Sequence, residues 1–406
     1  MTVISEADIL LPENVDMRKW AVIACDQFTS RPDYWQRVSD YVGSAPSTLH
    51  MILPEANLKT AGNEAGDRIR KAMEETRSLL KTYPSSMVYT ERTMEDGQIR
   101  RGLVCAVDLE AYDYTSGAAS PVRATEMTVP ERLPARQKVR MGASLELPHV
   151  ILFCDDPEMQ LIEAVSDMKE NLQVLYNLDL MEGGGHITGR LVSHEQGAAF
   201  FKALSAYMKR IDKKCGREGL SPMYFAVGDG NHSLAAAKAC YEALKAEGRT
   251  TERSRYALVE LENIEDPVHV FQSIHRLVRA EDPMALLNDL KGRAGGGEGG
   301  YPVTWYCGEE SGCIMLDQAK GDLAVEVLQD CLDAYAEKHP AEIDYIHGET
   351  ELADLARAPG HIGFALQPMD KRQLFPYVIR HGSLPRKTFS MGHAREKRYY
   401  MEAKEI

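Results

Sequence analysis

Apolar residues recur along this chain in two rhythms, and each rhythm predicts a different element. Between Gly66 and Tyr83 they return every three or four positions among charges, the spacing of an amphipathic helix. Pro32–Val42, Glu158–Tyr176, His194–Lys214 and Leu323–Lys338 read as further helices. Short apolar runs bounded by turn residues predict strands at Trp20–Cys25, Leu49–Leu53, Ser86–Thr90, Ile99–Asp108, His149–Cys154 and Met223–Val227. Tyr256–Asn263, Val268–Val278, Ile343–Ile346 and His361–Leu366 extend that set. Gly183-Gly184-Gly185 joins two more short strands, because glycine enters positive φ freely and suits a hairpin turn. Thr125–Glu146 shows little periodicity, and the glycine run Ala294–Gly300 reads as a loop. The alternation predicts a mixed α/β (α+β) chain with short mixed sheets and flanking helices rather than a barrel.

Length changes that picture. At 406 residues the chain is long for one core. Two α/β domains are expected, 1–157 and 158–406, as two lobes around a central cleft. The apolar and charged fractions, 44% and 27%, are those of a soluble globular protein. A net charge of −14 argues against duplex nucleic acid as a partner, since phosphate binding needs a clustered positive surface. Eight scattered cysteines include no C-x-x-C pair. Cys307 and Cys313 flank a predicted hairpin turn, too weak a pattern for zinc. No basic start leads into a long apolar run, and no window approaches the ~20 apolar residues of a membrane helix. The expectation is a cytoplasmic protein with reduced thiols and no membrane partner, with room for a homodimer.

The most unusual stretch is Tyr224–Lys238, YFAVGDGNHSLAAAK, a strand leading through small and polar residues into an alanine-rich helix. Such a turn exposes backbone N–H groups at the positive end of a helix dipole, an arrangement suited to anions. Gly228 and Gly230 would let the backbone approach the anion, Ser233 or Asn231 would cap the helix, and His232 adds a donor. Asp229 is the odd member, since a carboxylate repels phosphate unless a metal, a proton or a hydroxyl lies between. No G-K-[ST] follows, and a third glycine is missing, so the P-loop and dinucleotide fingerprints are both absent. A well-capped strand-to-helix turn is the plain alternative.

The sequence resembles the bacterial and archaeal domain-of-unknown-function family 1015 nearly end to end. That family's mark is a strand, then Asp-Gly-His-His-Arg, then a helix; Asp229-Gly230-Asn231-His232-Ser233 stands there. Ala24-Cys25-Asp26, Ile52-Leu53-Pro54-Glu55, Thr125-Glu126-Met127-Thr128, Ile274-His275-Arg276 and Leu384–Phe389 also agree. The strand–turn–helix is similar to the phosphate-contacting turn of the ParB/sulfiredoxin-like superfamily, which includes kinases acting on free serine. Ser233 replaces the family's Arg and removes a bidentate phosphate donor.

The resemblance implies an enzyme that uses ATP or ADP with Mg²⁺ and transfers a phosphoryl group to a small hydroxyl compound such as an amino acid. Gly228 to Ser233 would hold phosphates, with Mg²⁺ near Asp229. His232 and Lys387 would offset developing charge, His275 and Arg276 would clamp phosphate, and Asp26 or Glu126 would take the hydroxyl proton. Plain readings stand beside these: an Asx-turn for Asp26, an ion pair of Glu126 with Arg123 or Arg132, and a core histidine for His275. The basic tail from Arg386 to Arg398 suits a small anion in an acidic protein, or pairs with the protein's own carboxylates. Two other functions are consistent with the same residues. One is a nucleotide- or effector-binding regulator without turnover. The other is a metal-dependent hydrolase or isomerase gathering His186, Asp229, His232 and His275.

Overall fold

The computed structural model describes residues 2–57, 64–128 and 133–406. Two compact units emerge. The larger runs up to Val268 and regains the chain at Val378–Gly382 and His393–Ile406; the smaller comprises His269–Tyr377 and Ser383–Gly392. Position 157/158, expected as a domain boundary, lies inside the larger unit, because strands on both sides of it are neighbours in one sheet.

The strands of the larger unit begin with β1 (Ile4–Ser5), β2 (Ala7–Pro12), β3 (Val22–Ile23), β4 (Leu80–Thr93), β5 (Ile99–Asp108), β6 (Tyr112–Asp113) and β7 (Val122–Ala124). They continue with β8 (Leu145–Glu146), β9 (Ile151–Cys154), β10 (Val174–Asp179), β11 (His186–Val192), β12 (Phe225–Asp229) and β13 (Tyr256–Asn263). Among the described residues eleven of them form a mixed sheet ordered β10-β11-β4-β5-β13-β9-β12-β7-β6, with β1 on β5 and β2 on β4. The fold class is therefore mixed α/β, as the alternation predicts. Strand β5 shows why both sheet faces are covered. Leu103, Cys105 and Val107 pack on one face against Phe200, Leu204 and Tyr207 of the helix His194–Glu218. Val104 and Ala106 point the other way, toward Tyr34, Trp35 and Val38 of the helix Pro32–Val42.

The smaller unit holds β14 (Phe271–Ala280), β15 (Tyr301–Cys307), β16 (Glu310–Leu316), β17 (Ala341–His347), β18 (His361–Leu366) and β19 (Phe389–Met391). Their order is β16-β15-β18-β14-β17, with β19 also on β14. The chain then re-enters the larger unit as β20 (Tyr399–Tyr400), antiparallel to β3, and β21 (Lys404–Glu405), antiparallel to β8.

Four sequence expectations change. Leu49–Leu53 contributes a 3-10 turn, Thr48–Met51, because the Ser47 hydroxyl accepts from the Leu49 amide and starts a helical turn. Glu158–Tyr176 is helical only at Glu163–Ser166 and, as a 3-10 turn, Lys169–Asn171. The Asp156 carboxylate takes the Gln160 and Leu161 amides, and β10 pairs with β11 instead. The helix expected over Gly66–Tyr83 spans Ala65–Arg77 and yields to β4 at Leu80. Within the aperiodic Thr125–Glu146 lies the helix Leu133–Arg140.

Strand β13 is buried along almost its whole length yet carries Glu260 and Glu262. Buried carboxylates need partners, and the C-terminal segment supplies them. Arg398, 2% exposed, lies 3.1 Å from Glu260 and 2.8 Å from Glu402. Thr90 and Tyr176 donate hydroxyls to Glu260 and Glu402, each at 2.5 Å. Arg100 stands 3.2 Å from Glu262. Burial pushes the Glu262 carboxyl up to about 8, Glu260 adds to the rise, and Arg100 opposes it.

Arg398→Met should cost roughly 3–5 kcal/mol by leaving Glu260 and Glu402 without their shared cation. The urea midpoint of the larger unit reports this, and a loss below about 1 kcal/mol would refute it. The raised Glu262 pKa makes a second prediction. The folded chain holds a proton that the unfolded chain releases above about pH 4.3, so this contribution to stability is full below that pH. It is lost as pH rises toward about 8. Glu262→Gln should therefore gain on the wild type by up to ~1.4 kcal/mol per pH unit through this window. A difference between the two that stays constant from about pH 5 to 9 would show Glu262 to be ionised.

Candidate functional site

Three strand ends meet at one edge of the large sheet. Strands β7 and β12 run parallel with Ala124 opposite Val227, so Glu126 and Asp229 emerge at the same side. Strand β9 is antiparallel to β12 with Ile151 opposite Asp229, which brings His149 to the same edge. Gly230, at φ +79°, then turns the chain into the helix Asn231–Ala246. Gly228 is required by packing, since a Cβ there would meet the Phe153 ring at 2.4 Å. Neither glycine is spare. At Gly230 a Cβ would be strained and would lie 3.1 Å from the Val150 Cα.

The turn amides are partly spoken for. Gly230 N–H donates to its neighbour Asp229 Oδ1 at 3.0 Å, and the Ser233 and Leu234 amides donate to the Gly230 carbonyl at 3.0 and 3.1 Å. The Asn231 amide makes no hydrogen bond among the described residues. Its carboxamide Oδ1 is buried and unpartnered there.

His149 is the hub of the site. Its Nε2 lies 2.7 Å from Ser233 Oγ, and its Nδ1 lies 3.0 Å from the Tyr400 hydroxyl. That hydroxyl accepts the Cys25 amide at 3.2 Å, so the pairing of β3 with β20 delivers Cys25 and Asp26 to the imidazole. Burial pushes the His149 pKa below its ordinary value, although Asp26 and Asp229 pull the other way. Asp26 shows the opposite balance. Burial raises its pKa, but His149, the Gln27 amide, Lys397 and Arg136 outweigh it and hold the carboxyl below the ordinary range. The imidazole is thus neutral and Asp26 ionised near pH 7. Lys397 Nζ lies 3.2 Å from Asp229 Oδ2, and Arg136 pairs with Glu55.

Beside this cluster lies a cavity of about 160 Å³, walled by apolar groups such as Ile52, Leu53, Val139 and Leu147. Arg136, His149, Ser233 and Tyr400 also line it. A cavity of about 150 Å³ admits one aromatic ring.

The residues singled out in the sequence divide between the units. Asp26, Glu126 and Gly228 to Ser233 belong to the larger one, where His232 is half-buried and already engaged. Thr125 donates to the Val227 carbonyl at 2.7 Å and fixes the approach to Glu126. Of the ion-pair partners considered for Glu126, Arg132 lies outside the described residues. Arg123 donates instead to the Ser120 and Ser221 carbonyls at 2.9 and 3.0 Å.

Lys387, His275 and Arg276 lie in the smaller unit. Arg276 is 0% exposed, and its guanidinium donates to Gln329 Oε1 and to the Ile274, Arg386 and Lys387 carbonyls at 2.5–3.0 Å. A guanidinium so enclosed serves the fold and cannot clamp phosphate. His275 is likewise buried, and its Nδ1 accepts the Leu366 amide at 3.2 Å. His186 sits on the β10–β11 hairpin with Asp179 and Asn177. Among the described residues no three His, Cys, Asp or Glu side chains are grouped to hold a metal, so His186, Asp229, His232 and His275 do not form one centre.

His149, Arg136 and Tyr400 escaped the sequence reading. His149 carried one signal, its place directly before an apolar strand. Tyr400 carried none, because the Cys25–Tyr400 hydrogen bond joins residues 375 positions apart.

Among the described residues no helix is long and apolar enough to cross a membrane. No curated protein matches the sequence. Among solved structures, SbnI with a C-terminal truncation from Staphylococcus aureus is 9% identical, with 71% of this chain and 82% of that one covered at a TM-score of 0.38. A free serine kinase in complex with AMP is 12% identical, with 73% and 90% covered at 0.38. A conserved hypothetical protein from Pyrococcus furiosus is 11% identical, with 75% and 94% covered at 0.35. The family described as "Protein of unknown function (DUF1015)" matches residues 9–402, and the chain belongs to that family.

Proposed function

We propose that the larger unit binds a nucleotide and transfers its terminal phosphoryl group to a small hydroxyl compound, an amino acid being the expected acceptor. One observation carries this reading. A ring-sized, mainly apolar cavity is lined also by Arg136, His149 and Ser233, with Glu55, Arg140 and Glu146 as its other charged groups, beside a helix N-terminus where Lys397, Asp26 and Asp229 converge. An aromatic base fits the apolar wall, and phosphates fit the polar end.

The residues present suit a nucleotide with Mg²⁺. The Asn231 amide would donate to a phosphate oxygen, and Arg136 and Lys397 would offset the phosphate charge. Lys397 thus takes the role expected of Lys387. Asp229 would hold Mg²⁺, whose chemistry when bound is to neutralise charge and align the phosphates. Asp26, kept ionised, accepts the proton of the acceptor hydroxyl, with Glu126 at the same sheet edge as the other base. Positioning and fixed charge supply most of the rate in such chemistry.

A regulator that binds nucleotide without turnover remains the second reading. It is favoured by the Lys397–Asp229 pair, which already satisfies both charges, and by Ser233 in place of the family's Arg.

Titration calorimetry with ATP, ADP and CTP plus magnesium should show saturable binding of at least one of them. Arg136→Ala should weaken it about tenfold or more, equivalent to roughly 1.4 kcal/mol, with little change in melting temperature. No binding at millimolar ligand would end this reading. Asp26→Asn should keep binding but lower turnover by about 10²–10⁴. Binding with nucleotide left intact over hours would select the regulator.

A further inference from the structure

Ser233 and Asn231, expected to cap the helix, do not: Gly230 is the cap residue, no side chain bonds the first amides, and the Ser233 hydroxyl meets His149 instead. Ser233 is partly buried and lines the cavity, and the imidazole 2.7 Å from its Oγ lines the same cavity. The far side of the ring is fixed. Tyr400 oxygen accepts the Cys25 amide at 3.2 Å and lies 3.0 Å from Nδ1. In the Nδ1–H tautomer the ring donates to the Tyr400 oxygen, which also takes the Cys25 amide. This assignment leaves the Nε2 lone pair facing the Ser233 hydroxyl. A nucleophile, a base and an orienting group therefore stand in line at a helix N-terminus, with Arg136 and Lys397 as nearby cations.

We propose that Ser233 is a nucleophile activated by His149, and that it carries the phosphoryl group between the nucleotide and the acceptor. The proposal rests on the nucleotide reading above for the identity of the donor. In the first step an Oγ–P bond forms as the bond from phosphorus to the bridging oxygen breaks. The nucleoside diphosphate leaves with that electron pair, and the Ser233 proton passes to His149 Nε2. In the second step the acceptor hydroxyl attacks the same phosphorus and gives its proton to Asp26. Ser233 Oγ departs and recovers its proton from His149. No oxidant or further reactant is required.

Two labelling experiments on the full chain separate this proposal from the nucleotide reading. After brief incubation with ATP and Mg²⁺, peptide mass spectrometry should find phosphoserine at Ser233, absent in Ser233→Ala and at least tenfold lower in His149→Gln. A fluorophosphonate probe, which needs no nucleotide, should label Ser233 with the same dependence on His149. Its rate should fall as pH drops through the imidazole pKa, below 6.5. Tyr400→Phe keeps the ring in the core and should slow labelling severalfold, so the test survives a poorly folded His149 variant. Nucleotide binding with wild-type turnover in Ser233→Ala would overturn the proposal. Absence of nucleotide binding together with His149-dependent probe labelling would discard the donor and keep the dyad. Absence of labelling by the probe would overturn the dyad itself.

Discussion

Arg92 fixes what the rest of the site depends on. Its guanidinium, 3% exposed, donates to the carbonyls of Gly184, Arg395, Glu396 and Lys397 at 2.6–3.0 Å. A buried cation survives only if its donors are satisfied, and here carbonyls from two distant segments satisfy them. The consequence is positional. With residues 395–397 held at β4, Arg398 falls on Glu260 and Lys397 falls on Asp229. Two residues later Tyr400 pairs across β3 and reaches His149. Thus the C-terminal segment is part of the larger unit's core and part of its candidate site at once.

The periodic signals in the sequence were sound where one element decides its own burial. The helices at 32–42 and 194–218, and strands such as β5 and β13, follow their apolar spacing because each buries a face that local residues alone define. Expectations shifted where a polar side chain captured backbone amides. Asp156 did this after β9, and Ser47 did it before Thr48, each starting a turn that apolar spacing does not register. The candidate site was legible as a turn but not as a cluster. Asp26 and the 228–233 turn are visible as motifs, whereas His149 and Tyr400 gain meaning only from the pairings β9–β12 and β3–β20. Arg276 misled for a related reason. A His-Arg pair on a strand is the same string of letters whether the strand faces a ligand or, as here, a set of internal carbonyls.

The tail also shows where an acidic chain, at −14 overall, places its cations. Much of its positive charge is consumed internally: Arg398 by Glu260 and Glu402, and Arg386 by Asp333. The overall charge therefore reports on solubility, and the site has its own electrostatics.

Asp229 poses the sharpest physical question, because a carboxylate at a helix N-terminus competes with an incoming anion for the same amides. The structure answers with Lys397. While the pair is closed, one carboxylate oxygen is held by the ammonium and the other by the Gly230 amide, so the turn is electrically quiet. With Mg²⁺ bound as proposed, Asp229 would hold the ion and Lys397 would face the phosphate oxygens, so that the two partners of the closed ion pair would each take a ligand contact. A nucleotide without its metal would meet the carboxylate unshielded. On the proposed function, the turn's acidic residue would therefore favour a metal-complexed anion over a bare one, a discrimination that glycines and amides alone could not provide.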